Sequence, residues 1–303
     1  MKNSFVFWVE EYFYNPTPFQ KIFSYIFLPL SWLYCLVMYT RFLVQQPHYF
    51  GIPVVSVGNL TVGGSGKTPL VSSLAASYKN AAIVLRGYGR ETKGLYIVKD
   101  REEILCDVTQ SGDEAMIYAQ KLPNAIVIVS EDRKSAILKA KELGADVVFL
   151  DDAYSKHSIE KLDLLIEVQS QNNFCLPSGP FRERLYVQKN AIVLEEEKDF
   201  KRVVTLKDRC DKMSLITAIA RPQRLDAYLP EVVSKNYFAD HHSFTKDECI
   251  EVLRRDGSDS LLVTYKDFVK VQSFGLPLSL LDLDVEVSKE VIDIVGKYIE
   301  NKN

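Results

Sequence analysis

Residues 53–69 read PVVSVGNLTVGGSGKTP, and this stretch decides the class of fold. Pro53–Val57 is a short β-branched run that ends at Gly58, a strand pattern. A glycine-rich turn follows, then a helical stretch from Lys67 to Tyr78. Within the turn, Thr61-Val62-Gly63-Gly64-Ser65-Gly66-Lys67-Thr68 fits G-x-x-x-x-G-K-[ST] except at its first position, where Thr61 replaces glycine. Gly63, Gly64 and Gly66 tolerate positive φ, so successive backbone N–H groups can turn inward. Those amides and the helix start form an anion cradle. Lys67 can reach the outer phosphates of a nucleotide such as ATP, and the Thr68 hydroxyl can ligate Mg²⁺. Pro69 suits a first helical turn, where a missing N–H costs little.

Such a cradle needs a carboxylate on a neighbouring strand to hold Mg²⁺. Val147-Val148-Phe149-Leu150 runs into Asp151-Asp152 and supplies it. Between and beyond these segments, apolar strand patterns alternate with helical ones. Ala82–Leu85, Ile126–Val129, Leu164–Val168 and Ala191–Leu194 read as strands; Gly112–Lys121 and Glu131–Leu143 read as helices. Near-continuous apolar strands separated by helices predict a mostly parallel sheet covered on both faces. A second cycle starts near Met213. Leu215–Ala220 and Leu261–Thr264 are strand patterns, and Pro222–Tyr228, Thr245–Arg255 and Lys289–Ile299 helical ones. The charged stretch Glu195–Asp211 reads as a linker or hinge. The fold class is therefore α/β of the P-loop NTPase type. A kinase-like domain is expected over 51–200, a smaller C-terminal α/β domain over 201–303, and a hydrophobic helix within 1–50.

Three further sites fall at expected strand ends. Gly112-Asp113-Glu114 opens a helix, where an acidic residue also serves as a cap. Asp240-His241-His242 puts two of the four histidines side by side, and a histidine beside a carboxylate can act as or orient a general base. Arg86-Gly87-Tyr88-Gly89-Arg90 places two arginines on a turn, suited to phosphate contacts.

The first fifty residues are a different material. They hold 16 of the 34 aromatic residues and carry a charge of only +1. Ile22–Thr40 contains no charge, and its 19 residues approach the ~20 a helix needs to cross a bilayer. Pro29, the serines and the scattered aromatics fit better with a helix lying in the headgroup plane, flanked by Lys21 and Arg41. A helix buried on the domain is the remaining reading. No secretory signal pattern is present, since Glu10 and Glu11 precede the apolar run and no small-residue site follows.

Composition sets the outer limits. With 37 Lys+Arg against 40 Asp+Glu the chain carries −3, which speaks against nucleic acid as a partner. A 47% hydrophobic content excludes a disordered chain. Five scattered cysteines without a CxxC pair suit a reducing cytosol and suggest neither disulfides nor a zinc site.

Taken together, these segments resemble the tetraacyldisaccharide 4′-kinases of lipid A biosynthesis. The resemblance rests on residues 53–69, Arg86–Gly89, Gly112–Glu114, Asp151-Asp152, Leu176–Arg184 (LPSGPFRER), Asp240–His242 and Thr264–Lys270 (TYKDFVK), in that order. Two departures stand out. Ala153-Tyr154-Ser155 replaces the usual Gly-Phe-Gln, and Thr264-Tyr265-Lys266-Asp267 replaces Thr-Glu-Lys-Asp. The resemblance implies a kinase at the cytoplasmic face of a bacterial inner membrane, peripheral or monotopic, working without an obligate protein partner. Its substrates would be ATP and an acylated disaccharide 1-phosphate, and the N-terminal helix would meet the membrane surface. By the resemblance Asp113 would be the base and His241 its partner, with His242 the alternative. Lys67 would act on the phosphates, and Asp151, Asp152 and Glu183 would surround the metal with Thr68. Two other readings remain at this stage: a membrane-associated P-loop ATPase switch, and a P-loop kinase of small molecules.

Overall fold

The computed structural model describes residues 2–63, 66–219 and 222–302, with side chains from Trp8 onward. Three helices lead the chain: α1 (Lys2–Tyr14), α2 (Pro18–Ile26) and α3 (Leu28–Val44). The expected single helix is therefore broken. Thr17 caps α2 through a capping box with Gln20, and Pro29 starts a new helix at a 59° bend.

The first α/β unit runs β1 (Val54–Gly58), α4 (Lys67–Ala76), β2 (Ala81–Leu85), β3 (Tyr96–Asp100), β4 (Glu103–Ile104), α5 (Val108–Ser111), α6 (Asp113–Lys121), β5 (Ile126–Val129), α7 (Arg133–Glu142), β6 (Val147–Asp151), β7 (Leu162–Ile166) and β8 (Ala191–Leu194). Its eight strands lie in the order β4-β3-β5-β2-β6-β1-β7-β8. All pairs from β5 to β8 are parallel, while β3 and β4 add an antiparallel edge. Every residue of β1, β2, β5, β6 and β7 is buried, as strands covered on both faces require. Helices α4 and α6 pack on one face and α7 on the other. Full burial of a side chain such as Phe149 or Leu150 contributes about 1.5–3 kcal/mol.

The second unit runs β9 (Phe200–Lys207), β10 (Met213–Thr217), β11 (Ser234–Tyr237), α8 (Lys246–Asp256), β12 (Ser260–Thr264), α9 (Tyr265–Val271) and β13 (Leu278–Val287). Its sheet order is β11-β10-β12-β13-β9, parallel except for β9. The last helix, α10 (Lys289–Glu300), returns to the first unit. Its Val291, Val295 and Ile299 join the core built on β1, β6 and α4.

Several expectations are corrected here. The charged stretch 195–211 is not a linker, because Phe200–Lys207 pairs with β13 over eight registered positions. It is an edge strand whose exposed lysines, Lys201 and Lys207, and half-buried Arg202 disguise the β pattern. Residues 222–225 form only a short 3-10 turn, not a helix through Tyr228. The cysteines are not all free either. Cys35 on α3 is bonded to Cys175, across 140 residues. The pairing follows from the seating of α3 on the 175–181 loop, where the Ser178 N–H donates to Ser31 Oγ at 2.9 Å.

Candidate active site

Strand register assembles the site. Val57 lies opposite Asp151, so β1 and β6 end level and the cradle begins beside the paired aspartates. The Asp152 N–H donates to the Val57 carbonyl at 2.9 Å, and Asp152 takes a left-handed φ of 52° to do so. The cradle is braced from the LPSGPFRER segment. Thr61 bridges to Phe181, and the Val62 N–H donates to the Pro180 carbonyl at 2.9 Å. The Tyr14 hydroxyl of α1 donates to the Val62 carbonyl, so the N-terminal helices also touch the cradle. Gly63 and Gly66 have φ values of 89° and 73°, the left-handed region the sequence assigned to glycine. Gly64 and Ser65 lie outside the described residues. Thr68 follows in the first turn of α4.

Lys67 is held over the aspartates. Its Nζ donates to Asn59 Oδ1 at 3.3 Å and pairs with Asp152 Oδ1 at 3.6 Å. Arg182 reaches the same two groups, bonding Asn59 Oδ1 at 3.0 Å and pairing closely with Asp152. Burial acts to raise the Asp152 carboxyl, but Lys67 and Arg182 outweigh it and hold it below its ordinary value. Asp151 differs. It is buried, and burial together with the Glu114 charge pushes it up to about 7. The Tyr118 hydroxyl donates to its Oδ2 at 2.9 Å, while Oδ1 is buried without a hydrogen-bond partner.

Glu183 is placed elsewhere. Its carboxylate faces His157 at 3.6 Å, and its own N–H donates to the Leu60 carbonyl at 3.2 Å. Among the described residues no group of three or more His, Cys, Asp or Glu side chains is arranged to hold a metal ion. The expected set of Asp151, Asp152 and Glu183 is thus not gathered as one cluster.

Asp113 opens α6 after Gly112, whose φ of 85° lets the chain turn where a Cβ would meet the Tyr88 carbonyl at 2.9 Å. The second unit supplies its partners. His241, itself at φ 60°, brings Nδ1 to 3.2 Å from Asp113 Oδ2. His242 instead meets Glu248 at 3.3 Å and stacks on Phe238. Of the two histidines left open by the sequence, His241 is the one beside Asp113.

Sequence reasoning missed two lysines of α9. Lys270 Nζ lies 3.0 Å from Asp113 Oδ2, and Lys266 Nζ lies 3.4 Å from His241 Nε2. An ammonium can only donate, so His241 accepts at Nε2 and its Nδ1–H points at Asp113. The TYKDFVK segment carried both lysines, but nothing in its spacing showed where the helix would land. In the Arg86–Arg90 turn one arginine is already engaged. Arg90 folds back on Glu131 at 2.7 Å and on the Gly94 carbonyl at 2.6 Å.

Between the units lies a cavity of about 320 Å³, lined by Gly66, Thr68, Arg202, Tyr228 and Tyr265 among others. It opens on the start of α4, the end a nucleotide's phosphates would approach. A group built at the Gly66 Cβ position would lie 3.0 Å from Arg202 Nη2, so this arginine of β9 closes over the cradle.

Comparison with known proteins agrees with this fold. A family model described as tetraacyldisaccharide-1-P 4′-kinase (LpxK) matches residues 23–300. A tetraacyldisaccharide 4′-kinase of Aliarcobacter butzleri is 46% identical, with 99% of both chains covered. A Campylobacter jejuni enzyme of the same name is 43% identical over 97% of this chain and 96% of its own. The crystal structure of LpxK from Aquifex aeolicus, described as in complex with ATP, superposes with a TM-score of 0.70 at 24% identity. It covers 92% of this chain and 99% of that one, and it matches the α/β fold described above. The chain belongs to the tetraacyldisaccharide-1-P 4′-kinase family.

Proposed function

We infer that this chain transfers the γ-phosphate of ATP to the 4′-hydroxyl of a tetraacyldisaccharide 1-phosphate, forming lipid IVA in lipid A biosynthesis. The observation that carries the reading is the pairing of a phosphate cradle with a carboxylate, Asp113, presented by helix α6 across the cleft from the second unit. Family membership sets aside the ATPase switch and the small-molecule kinase. Phosphoryl transfer asks the protein mainly for positioning and charge neutralisation. Residues 61–68 grip the triphosphate, and Lys67 leaves Asn59 and Asp152 for the outer phosphates. Asp113 accepts the proton of the attacking hydroxyl, with His241 orienting it.

Mg²⁺ fits the residues present. The unpartnered Oδ1 of Asp151 is a ready ligand for a hard cation, which Asp152 and Thr68 would help to hold. Few protein ligands suit Mg²⁺, which keeps waters and phosphate oxygens in its shell. When bound, it would neutralise charge on the transferring phosphate. Glu183, turned to His157, would support the cradle through Leu60 rather than ligate directly.

The reading is tested by transfer of labelled γ-phosphate to bacterial lipid extract, with the product located by mass. A labelled tetraacyldisaccharide bisphosphate is the expected product. Label released only as inorganic phosphate overturns the reading.

The substrate's acyl chains require the enzyme to work at a membrane surface, and α2 and α3 suit that task. Their buried residues are polar: Gln20, Ser24 and Ser31. Their exposed residues are large and apolar, including Phe19, Ile26, Trp32, Leu33 and Leu36. This inside-out pattern suits helices that face lipid. No single described helix is long and apolar enough to span a bilayer, although the bent α2–α3 pair passes together. The exposed apolar helices and the use of ATP support a location on the cytoplasmic face of the inner membrane. Leu33→Glu combined with Leu36→Glu should weaken co-sedimentation with anionic lipid vesicles at least tenfold, from about 1.5–3 kcal/mol per buried side chain. Unchanged sedimentation would place the contact elsewhere. Substitution is a better test than deletion, because Tyr14 braces the cradle and Cys35 ties α3 down.

A further inference from the structure

Asp113 has two oxygens, and the structure uses them unequally. Lys270 Nζ at 3.0 Å and His241 Nδ1 at 3.2 Å both meet Oδ2. Oδ1 receives neither of these contacts. Lys270 has a second tie: it donates to the His242 carbonyl at 3.2 Å. One ammonium therefore joins the carboxylate of α6 to the backbone of the loop that carries His241. The lysine side chain is only 8% exposed, so its charge depends on Asp113 for compensation.

We propose that Lys270 is a positioning residue of the transfer reaction, clamping Asp113 by Oδ2 so that Oδ1 faces the acceptor hydroxyl. The proposal rests on the reading of Asp113 as the base. A carboxylate can turn about its last bond, and two donors on one oxygen stop that turning. In the step so prepared, the 4′-oxygen bonds to the γ-phosphorus as the bond from that phosphorus to its bridging oxygen breaks. The hydroxyl proton passes to Oδ1, and ADP leaves with the bridging oxygen. Lys270 and His241 both come from the second unit and Asp113 from the first. The base is therefore fully oriented only while α9 sits against α6, as it does here.

Charge supports the same role. Burial acts to raise the Asp113 carboxyl, and the His241 hydrogen bond, Lys270 and Lys266 together bring it below its ordinary value. The groups around it are Lys266 and Lys270 from α9, His241 and Asp240 from the loop after β11, and Glu114 on its own helix. Arg90, from the turn after β2, is already paired with Glu131. Without Lys270, desolvation has less opposing it and protonation of Asp113 moves to higher pH.

The test compares Lys270→Met and Lys270→Arg in the full-length enzyme. Lys270→Met is expected to lower kcat about 10- to 100-fold while KM for ATP stays within about twofold. Its activity should fall away in weakly acidic buffer where the parent is still flat. Lys270→Arg, which keeps a cation, should recover much of kcat and the parental acid flank. A parental kcat in Lys270→Met overturns the clamp. So does a loss that arginine does not repair and that leaves the acid flank in place, since that describes a structural lysine. Melting temperature and ATP binding report whether each variant is folded. Asp113→Asn separates the two readings: if it keeps parental turnover, the base assignment fails before the clamp is in question.

Discussion

Lys67→Ala is expected to lower phosphate transfer about 100- to 1,000-fold, the usual cost of removing one preorganised charge from a developing anion. The side chain already stands at the mouth of the cradle, 3.6 Å from Asp152 and 14% exposed. Its present partners, Asn59 and Asp152, are also held by Arg182. The fold around them should therefore survive the loss. The effect should appear at saturating ATP, because an ammonium that follows the transferring phosphate stabilises the transition state more than the bound nucleotide. Lys67 also lowers both Asp151 and Asp152. Its removal lets those carboxyls rise, so the variant should gain activity relative to itself as pH increases. Single-turnover transfer with enzyme in excess measures both effects. Near-parental transfer in this variant would remove the phosphate role from Lys67.

Asp113→Asn should cost about 100- to 10,000-fold in kcat, the range for a positioned general base. Affinity for ATP should barely change, because Asp113 does not line the cavity beside the cradle. The amide keeps the size and one acceptor oxygen, so Lys270 and His241 retain a partner, though a weaker one. Equal losses in turnover and ATP binding would identify Asp113 as a helix-end residue of structural importance only. The structure already weakens that alternative. No side-chain hydrogen bond caps α6, and the Asp113 carboxylate is committed to groups of the second unit instead.

Much of the first unit was legible because buried parallel strands are nearly pure apolar runs. Val54–Gly58 and Val147–Asp151 announced themselves in that way, and so did the cradle between β1 and α4. The second unit was read less well. Its edge strand Phe200–Lys207 buries only its first residue, so its composition looks like a linker. The ten-residue β13 and helix α9 lie between the segments legible as strand and helix, and among the described residues β13 is the strand that gives β9 its place. The N-terminal helices show the converse. Their composition signalled lipid or core, and only the exposure of Trp32 at 68% against Ser31 at 1% says which face is turned outward.

The chain by itself determined the cradle and the paired aspartates, which depend on residue types at short spacing, and the family, which depends on several such segments in a fixed order. Tertiary structure alone decided which groups meet across the cleft. Asp113 and His241 are 128 residues apart, and Lys270 comes later still. Their meeting is set by strand register and by α9 packing on α6, and contacts between distant segments leave no local mark on either one. The same holds for Glu183, to which the family resemblance gave a metal role and which long-range packing turns toward His157.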